Sequence, residues 1–302
     1  MSMQATENKK RTSNQPPVKR LIWPSAIYLI IMTQIPFLIT IYYSFQDWNL
    51  MRPDQGVVFT GLANFKNILT SSSFYQVFGN TVLLTTAVLV ICFLLGFAFA
   101  LLMNRNFFGK GIVRTIFITP FFVMPTVSAI VWKTLMYNPN FGMSSYFAHV
   151  FGKAPIDWLS AHPLLSIILI VSWMWTPFFM LILLAGLQSL PAELIEAAQL
   201  DGANKMGQFI HVTIPHLFRY IEVVLLLGLM FILQVFGEIY VTTAGGPGYA
   251  STNLSFLVYR IGFQNWDIGE ASAVGVLTVI LTIIMMLFMF RLLRRMFREE
   301  QS

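Results

Sequence analysis

Long apolar runs alternate with short polar segments along most of the chain. Six runs with few or no charged residues cover positions 21–45, 78–103, 113–136, 164–186, 218–241 and 271–291. Each run is long enough to cross a hydrocarbon layer of about 30 Å, which takes about 20 helical residues. Lipid offers no hydrogen-bond partners to the backbone, so each run predicts a helix. The pattern therefore predicts an all-α polytopic membrane protein with six transmembrane helices.

Composition supports a membrane protein and argues against other classes. Hydrophobic residues make up 56% of the 302 residues and charged residues 11%, whereas soluble domains carry about 25% charge. The net charge of +6 lies in short basic blocks beside the apolar runs, which is typical of membrane topology and not of a nucleic-acid surface. The single cysteine, Cys92, and the four histidines show no metal-ligand spacing. We expect no metal, no cofactor and no nucleic-acid partner.

The distribution of basic residues predicts the orientation of the chain. Fourteen lysines and arginines fall on the side of the two termini and five on the other side. Cytoplasmic loops carry the excess of these residues, so both termini are predicted to be cytoplasmic. Residues 1–20 are predicted to be a disordered cytoplasmic tail, residues 21–291 a six-helix membrane domain, and residues 292–302 a cytoplasmic basic tail. The first apolar run is too long for a signal peptide and is interpreted as a retained span.

A polar segment at residues 190–215 interrupts the apolar pattern between the fourth and fifth runs. Pro191 is expected in the first turn of a helix, where its missing N–H has no intrahelical partner to lose. Glu193 and Glu196 follow near the positive end of the helix dipole. Gly202 comes directly after Asp201, and glycine is the usual residue at a helix stop. The segment therefore predicts a short helix that ends at this glycine.

A second short helix is predicted from Ala203 to about Pro215, because the residue before a proline leaves the α region. The two helices would form a compact helix–turn–helix projection on one membrane face, suited to docking. The alternative is an amphipathic hairpin that lies among lipid headgroups without a partner. Two glutamates and two alanines on the first helix disfavour that alternative, because interfacial helices carry basic residues and bulky apolar ones.

The residues of this projection resemble the EAA loop of ABC-transporter permease subunits. The matching positions are Glu196, Ala197, Ala198, Asp201, Gly202, Ala203, Phe209, Ile214 and Pro215. The resemblance implies a type I ABC importer fold in which residues 187–217 form the coupling loop. It also implies that Glu193, Glu196, Ala197, Ala198, Asp201, Gly202 and Ala203 contact a separate ATPase subunit. The family has Ile-x-Leu-Pro where this chain has Val-Thr-Ile-Pro at 212–215.

Two further elements resemble carbohydrate-type permeases, so that the resemblance covers most of residues 20–295. Residues 61–65 read Gly-Leu-Ala-Asn-Phe and predict a short surface helix before the second run. Residues 242–270 hold a Gly-Gly-Pro turn and then a predicted short helix at 252–263. The resemblance implies a sugar or polyol importer in the bacterial inner membrane. Its partners would be a second related permease subunit, a dimeric ATPase and an extracytoplasmic solute-binding protein, with membrane lipid around the spans.

Prolines and polar residues inside the runs mark a candidate solute pathway. Pro36, Pro120, Pro125 and Pro177 are expected to bend their helices and free carbonyl groups. Gln234 and Glu238 are expected one turn apart on one face of the fifth span, and Trp173 and Trp175 lie in the fourth. Amides and carboxylates suit sugar hydroxyls, and aromatic rings suit sugar C–H faces. The alternatives are that Glu238 is a solvated edge residue and that the tryptophans only pack.

The chain carries no G-x-x-x-x-G-K-[ST] phosphate loop and no visible catalytic carboxylate pair or activated nucleophile. We therefore expect a non-catalytic permease that depends on a partner for ATP hydrolysis. An ion-driven secondary transporter would be expected to show buried charges and inverted repeats, which the runs lack. A membrane-embedded enzyme is disfavoured further, because the runs contain no histidine or aspartate cluster. Polyols, mono- and disaccharides and glycerol phosphates all stay open as the solute.

Overall fold

The computed structural model describes residues 18–298, with side chains from Trp23 to Arg295. The helices are α1 (Val18–Ser44), α2 (Ala63–Thr70), α3 (Ser72–Asn104), α4 (Lys110–Phe122), α5 (Pro125–Val131), α6 (Met143–Val150), α7 (Trp158–Ala161), α8 (Pro163–Gln188), α9 (Ala192–Leu200), α10 (Lys205–Gln208), α11 (Ile214–Ile232), α12 (Gly237–Thr242), α13 (Leu254–Tyr259) and α14 (Ile268–Arg298). Short π-helical segments cover Trp132–Met136, Phe209–Thr213 and Arg260–Gln264. Strands β1 (Gln46–Asp47) and β2 (Val58–Phe59) pair antiparallel, with the 3-10 turn Pro53–Gln55 between them.

The predicted all-α membrane architecture is confirmed. Among the described residues, five helical stretches are long and apolar enough to cross a membrane, and a sixth span results if the bent pair α4–α5 counts as one. α1 begins at Val18 and α14 continues to Arg298. Part of each predicted tail is therefore helical. The predicted disorder of the remaining tail residues, 1–17 and 299–302, lies outside the described residues.

The core lies where α8 packs against α3, and α11 packs on both. Val88, Cys92, Phe179 and Leu183 are fully buried there. Gly96 allows the close approach, because a Cβ at this position would lie 2.6 Å from the Cβ of Phe179. Van der Waals packing between closely approaching helices is a main source of helix association in lipid. The second and fourth spans therefore form the rigid centre of the molecule.

The third span is broken, whereas the sequence predicted one helix over 113–136. α4 and α5 meet at a bend of 104°. Val123 and Met124 have extended backbones between them. Pro120 and Pro125 flank this break, and a proline disfavours the α region at the residue before it. Met124 stands directly before Pro125, and the expectation that the prolines bend this span is confirmed, although the hydropathy pattern alone predicted one helix.

The fifth span is also broken, whereas the sequence predicted one helix over 218–241. α11 ends at Ile232, and α12 begins at Gly237. The carbonyl groups freed at the break are taken up by α13 and the residue before it. The side-chain amide of Asn253 donates to the carbonyl of Val235 at 2.6 Å, and the hydroxyl of Ser255 donates to that of Leu233 at 3.0 Å. Side-chain donors from another element therefore stabilise the break.

Two of the prolines expected to bend their helices lie inside helices that continue past them, so neither proline breaks its helix. Pro36 lies within α1 and Pro177 within α8. Near Pro177, the carbonyl of Ser172 accepts from the hydroxyl of Thr176 at 2.6 Å. The Cys92 thiol of α3 lies 3.5 Å from the same oxygen. These donors contact the carbonyl one residue before that of Trp173, the carbonyl that Pro177 leaves without its N–H partner.

The predicted short surface helix at 61–65 is observed as α2, which begins at Ala63. The side-chain amide of Asn64 donates to the carbonyls of Ser44 and Gln46 at 3.0 and 2.8 Å. The amide therefore ties this helix to the end of α1 and to β1. The predicted helix at 252–263 is observed as α13, continued by its π segment to Gln264.

Candidate functional site

The coupling segment, residues 190–215, differs from its prediction at both of its prolines. A single 28-residue helical stretch runs from Lys205 to Ile232, through Pro215. The predicted stop before this proline is therefore wrong. The π-helical turn at Phe209–Thr213 precedes α11, in whose first turn the proline stands. A proline is tolerated in a first turn, and the wider turn before it alters the hydrogen-bond ladder that the ring would otherwise interrupt.

The first helix of the segment, α9, begins one residue later than expected. Pro191 has φ −61° and ψ 132° and stands at the N-cap, outside the first turn. Glu193 lies in the first turn, as predicted, where the helix dipole favours negative charge. Glu196 follows one turn later and is exposed. Both carboxylates at this end of α9 are therefore exposed.

The turn after α9 has the geometry expected of a glycine stop. Gly202 has φ +82°, the left-handed region that glycine adopts without strain. Its N–H donates to the carbonyl of Gln199 at 3.0 Å, and the N–H of Ala203 donates to that of Ala198 at 2.9 Å. These two bonds define a Schellman motif. The prediction that Asp201 and Gly202 end the helix is confirmed.

Two polar side chains that the sequence reasoning missed fix this turn. The side-chain oxygen of Asn204 accepts from the N–H of Gly207 at 2.8 Å, as an N-cap residue does. The amide of Gln208 donates to the carbonyl of Ala203 at 2.7 Å. An asparagine directly before a helical run is a recognised start signal, and it could have been used to place α10. The turn is therefore held on both sides.

The coupling segment stands out from the body of the protein. Every residue from 191 to 216 is exposed or half-buried, and none is buried. Large apolar side chains point outward, with Leu200 exposed to 89% and Met206 to 65%. Leu194 and Ile210 are exposed as well. We call these four residues the apolar ridge.

Three carboxylates, Glu193, Glu196 and Asp201, are exposed on the same segment. Ala197 is exposed, and Ala198 and Ala203 are half-buried. Small side chains at these positions leave the backbone of α9 accessible. An apolar ridge with acidic neighbours and small residues between them is a surface that a partner could cover closely.

The segment is attached at the junction of the fourth and fifth spans. The Ser189 hydroxyl, at the end of α8, lies 3.0 Å from Nε2 of His216 and 2.7 Å from the hydroxyl of Tyr220, both on α11. The ring of Tyr220 lies against Gly186, where a Cβ would be 2.7 Å from it. A displacement of the segment therefore acts on both spans at their common end.

A cavity of about 270 Å³ lies between the broken spans. Its lining comes from the ends of α4 and α5, from α8, and from the break between α11 and α12. The lining residues are Phe121, Val123, Pro125, Met174, Trp175, Phe231, Gln234, Val235, Phe236, Gly237 and Glu238. We call it the solute cavity, after the predicted solute-pathway residues that line it.

The structure brings three of the four predicted pathway residues together in this cavity. Gln234, Glu238 and Trp175 line it, whereas Trp173 lines a different, apolar cavity of about 420 Å³. The ring of Trp173 packs edge-on against Trp132 at 5.9 Å. The interpretation that the tryptophan only packs therefore describes Trp173 better than a place in the solute pathway does.

The sequence predicted that Gln234 and Glu238 share one helical face, and this prediction is wrong. Gln234 lies in the break, and Glu238 lies in the first turn of α12. Both nevertheless line the same cavity. Glu238 is only 3% exposed, so it is not a solvated edge residue. Its carboxylate forms no ion pair with any side chain that the structure describes.

Aromatic rings build much of the cavity wall. Trp175 stacks on Phe231 at 5.1 Å, and Phe121 meets Trp175 edge-on at 5.7 Å. The short helices α5 and α12 lie close together, because a Cβ at Gly237 would be 3.2 Å from that of Pro125. The two breaks thus face one another, and their polar groups and rings converge on one space.

The helical architecture, the broken spans and the projecting segment are those of a transport permease. The chain belongs to the family described as "Binding-protein-dependent transport system inner membrane component", whose model matches residues 92–298. It is accordingly a non-catalytic transmembrane permease subunit of an ABC importer, in the inner membrane. ATP hydrolysis belongs to a separate subunit.

Particular relatives agree with this family. A probable ABC transporter permease protein of Sinorhizobium fredii is 35% identical, over 87% of this chain and 86% of the relative. The trehalose/maltose transport system permease protein MalF of Thermococcus litoralis is 33% identical, over 86% of this chain and 88% of the relative.

The fold matches a solved structure of the same architecture. A chain of a bacterial alginate ABC transporter, crystallised with an alginate pentasaccharide-bound periplasmic protein, superposes with a TM-score of 0.77. The match covers 93% of this chain and 94% of that one, at 24% identity. This likeness supports the type I importer fold alone.

Proposed function

We propose that this permease moves a neutral sugar or polyol into the cytoplasm, and that its coupling segment transmits the state of a separate ATPase dimer to the solute cavity. The observation that carries the proposal is the exposure of the segment, in which no residue from 191 to 216 is buried. Burying one large apolar side chain contributes about 1.5–3 kcal/mol. An outward-pointing apolar ridge therefore favours a protein partner that covers it.

The chemistry of the segment describes the surface that the partner must offer. The apolar ridge requires an apolar pocket, and Glu193, Glu196 and Asp201 favour a basic rim around it. The Schellman turn and its side-chain bonds hold the segment in one shape. A segment of fixed shape can pass on a displacement as a rigid body.

The mechanism follows from where the segment is attached. ATP would close the ATPase dimer and move the segment, which pulls on α8 and α11 at their shared end. Both spans line the solute cavity farther along. Nucleotide would thus shift the protein between inward-open and outward-open states, because it binds one state better than the other. A second permease subunit and an extracytoplasmic solute-binding protein would complete the importer, with both termini cytoplasmic.

The coupling role is tested at Gly202. Gly202→Val places a β-branched residue at φ +82° and fills the space above the turn, which is empty within 4 Å. Retention of the ATPase on the purified permease and solute uptake should both fall at least about tenfold, because the turn no longer seats against its partner. The measurement is co-purification of the ATPase together with uptake in proteoliposomes.

Gly109→Val is the matched control, since Gly109 also has a left-handed backbone, at φ +79°, and empty space around it. It should cause the same local strain without loss of the ATPase. Gly202→Asn, which tolerates this conformation, should retain most of the coupling. Full ATPase retention and uptake in Gly202→Val would contradict the docking role.

The solute class follows from the lining of the cavity. Carboxylates accept strong hydrogen bonds from hydroxyl groups, and the rings of Trp175 and Phe231 offer flat apolar faces. Among the described residues, the lining of the cavity contains no lysine or arginine that could pair with a phosphate, and burying a phosphate without a cationic partner is costly. The cavity therefore favours a neutral sugar over a glycerol phosphate.

Glu238→Gln tests this assignment with trehalose and maltose as probes. Loss of a hydrogen bond to a charged group costs about 1.5–3 kcal/mol. We therefore expect the KM for uptake to rise by about 10–100-fold, with the ATPase still bound. Glu270→Gln, which removes a half-buried carboxylate outside the cavity, should leave the KM unchanged. An unchanged KM in Glu238→Gln, or a wild-type preference for glycerol 3-phosphate, would contradict the assignment.

A further inference from the structure

The short helix α6, in the loop between the third and fourth spans, carries its apolar side chains on the outside. These side chains recur at spacings of three and four residues, so they form one stripe that continues one residue past the helix end. All of them are exposed, Tyr146 to 66% and Phe151 to 75%. The members are Met143, Tyr146, Phe147, Val150 and Phe151. We call these residues the α6 stripe.

The opposite face of α6 is small and polar, and this face is turned toward the protein. Ser145 is buried, and Ser144 and Ala148 are half-buried. A surface helix of a soluble domain has the reverse arrangement, with its apolar stripe against the core and its polar face in water. A contiguous exposed apolar patch marks a surface that something else covers.

The contacts of α6 place it beside the ends of the spans and not above them. α6 packs against the π-helical segment Trp132–Met136, which is the last part of the third span. The next residue, Tyr137, donates its hydroxyl to the carbonyl of Ser166 at 3.2 Å. The ring of Trp158 stacks on Tyr137 at 6.1 Å. The loop that holds α6 therefore leaves and returns at one level, that of the start of α8.

The length of α8 shows how deep this level is. α8 has 26 residues, which extend over about 39 Å in a helix, whereas the hydrocarbon layer is about 30 Å thick. The first residues of α8 therefore lie at the boundary between headgroups and acyl chains, on the membrane face opposite the coupling segment. Tyrosine and tryptophan are enriched at this boundary, where Tyr137 and Trp158 stand.

The turn before α6 directs the helix back onto the third span. The side-chain oxygen of Asn138 accepts from the N–H of Asn140 at 2.9 Å, and the N–H of Gly142 donates to the Asn138 carbonyl at 2.9 Å. A Cβ at Gly142 would lie 2.5 Å from the same carbonyl oxygen. Glycine is therefore required for this turn, and the direction of α6 is set locally.

We propose that α6 is an interfacial helix that lies along the membrane surface, with the α6 stripe among the lipid acyl chains of the leaflet opposite the coupling segment. The level of the helix selects lipid as the occupant. The charge pattern agrees, because the sequence has no aspartate or glutamate from 138 to 156, whereas His149 and Lys153 are exposed. Interfacial helices insert bulky apolar side chains by about 5–10 Å and carry basic residues on the polar side.

The depth of the α6 stripe is measured on the complete importer in proteoliposomes, with other exposed cysteines removed and Cys92 buried. Phe147→Cys carries an environment-sensitive fluorophore. Lipids with a nitroxide near the headgroup should quench most of its emission, and lipids with a nitroxide at the chain end should quench less. Asp54→Cys, an exposed position on the turn between β1 and β2, should be quenched by neither lipid, because a charged turn residue lies in water.

A pair of variants tests whether the stripe holds the helix in the leaflet. Tyr146→Glu/Val150→Glu places two carboxylates in the stripe, beside the fluorophore at position 147. Quenching should then fall to the level of Asp54→Cys, because carboxylates are costly to transfer into hydrocarbon. His149→Glu adds one carboxylate at an exposed position outside the stripe and should leave the quenching unchanged.

Three results would overturn the proposal. Absence of quenching at position 147 in the otherwise unchanged protein would place the stripe in water or under a protein. Full quenching in the double glutamate variant would show that the stripe does not hold α6 in the leaflet. A photo-crosslinking residue at position 151 should form adducts with phospholipid, and adducts with another subunit in their place would assign the stripe to a protein. These measurements require neither nucleotide nor solute, so their outcome is separate from the proposed function.

Discussion

The fourth and fifth spans respond in opposite ways to the same physical problem. α8 contains Pro177 and stays helical over 26 residues. The fifth span has no proline between Ile232 and Gly237, yet it breaks there. A proline is therefore neither necessary nor sufficient for a break in these spans. What differs is the supply of hydrogen-bond donors from neighbouring elements.

Around Pro177, donors arrive from within the core. Thr176 and the Cys92 thiol both contact the carbonyl of Ser172, whereas the carbonyl that Pro177 leaves without its N–H partner is that of Trp173. At the break of the fifth span, Asn253 and Ser255 satisfy the carbonyls of Val235 and Leu233. Buried carbonyls need partners in lipid. Donors from outside the span thus stabilise a break that the local sequence does not require.

The two spans also have different parts in the transporter. The continuous α8 packs against α3 and forms the rigid centre. Both spans line the solute cavity, but its glutamine and its carboxyl group come from the broken fifth span. The coupling segment joins their ends. This difference predicts that substitutions in the rigid centre change stability most. Substitutions at the break should change transport before they change stability.

The largest effect is expected in the rigid centre. Gly96→Val would place a Cβ 2.6 Å from that of Phe179 and 3.0 Å from the backbone N of Met180. Overpacking of this kind lowers the free energy of unfolding by about 3 kcal/mol. Denaturant unfolding of the purified complex measures it. Gly79→Ala, on the same helix with empty space around it, should unfold as the wild type does; similar stability in both variants would contradict the rigid-centre assignment.

A smaller loss of stability, with a large loss of transport, is expected at Asn253. Asn253→Leu removes the donor to Val235 and also the cap on the N–H of Phe256 at 2.8 Å. A buried carbonyl without a partner costs about 1–3 kcal/mol. The break loses its support, so solute affinity should fall and the KM for uptake should rise.

Asn253→Asp separates the two roles of this side chain. The aspartate can still accept from the N–H of Phe256, but it cannot donate to Val235 when ionised. We expect the transport defect of Asn253→Leu with a larger loss of stability, because the carboxylate is buried beside the carbonyl of Val235. Normal uptake in Asn253→Asp would show that the bond to Val235 does not position the cavity.

Ser255→Ala should have a moderate effect. It removes the half-buried donor to Leu233 at 3.0 Å and is expected to lower stability by about 1 kcal/mol. The KM should rise less than in Asn253→Leu, because Val235 keeps its partner. Uptake kinetics of the two variants, measured side by side, rank the donors; a larger defect in Ser255→Ala would reverse their assigned importance.

The smallest effect is expected at Pro177. Pro177→Ala gives back an N–H to a helix that is already continuous. Hydrogen bonds within membrane proteins contribute about 0.6 kcal/mol on average, so stability should change by no more than about 1 kcal/mol. Unfolding and uptake measurements should both resemble the wild type. A strong transport defect would mean that this proline has a mechanical role that its geometry does not show.

The sequence predicted the spans and the turn of the coupling segment, because both depend on local signals. Apolar runs define helices in lipid, and Gly202 defines a left-handed stop. The break of the fifth span and the passage through Pro215 were missed because they depend on tertiary contacts or on a π-helical turn. No local pattern at 233–236 predicts the hydrogen bond from Asn253 to Val235.

The cavity was predicted in part, for a related reason. Polar residues in a span are rare, so Gln234, Glu238 and Trp175 could be singled out, and the structure places them together. Trp173 looked equivalent to Trp175 in the sequence. The two side chains are two residues apart on α8 and point to different cavities. The packing of α4 and α5 decides which of the two tryptophans lines the solute cavity.

The most direct test of the account is crosslinking from the apolar ridge. Leu200→Cys introduces an exposed thiol in place of the most exposed side chain of the apolar ridge, in a chain whose own Cys92 is buried. In membranes from cells that express the whole importer, a short thiol crosslinker should join this residue to the ATPase subunit, with a yield that changes when ATP is added. Labelling of Leu200→Cys from outside intact cells, or no adduct with a nucleotide-hydrolysing subunit, would contradict the account.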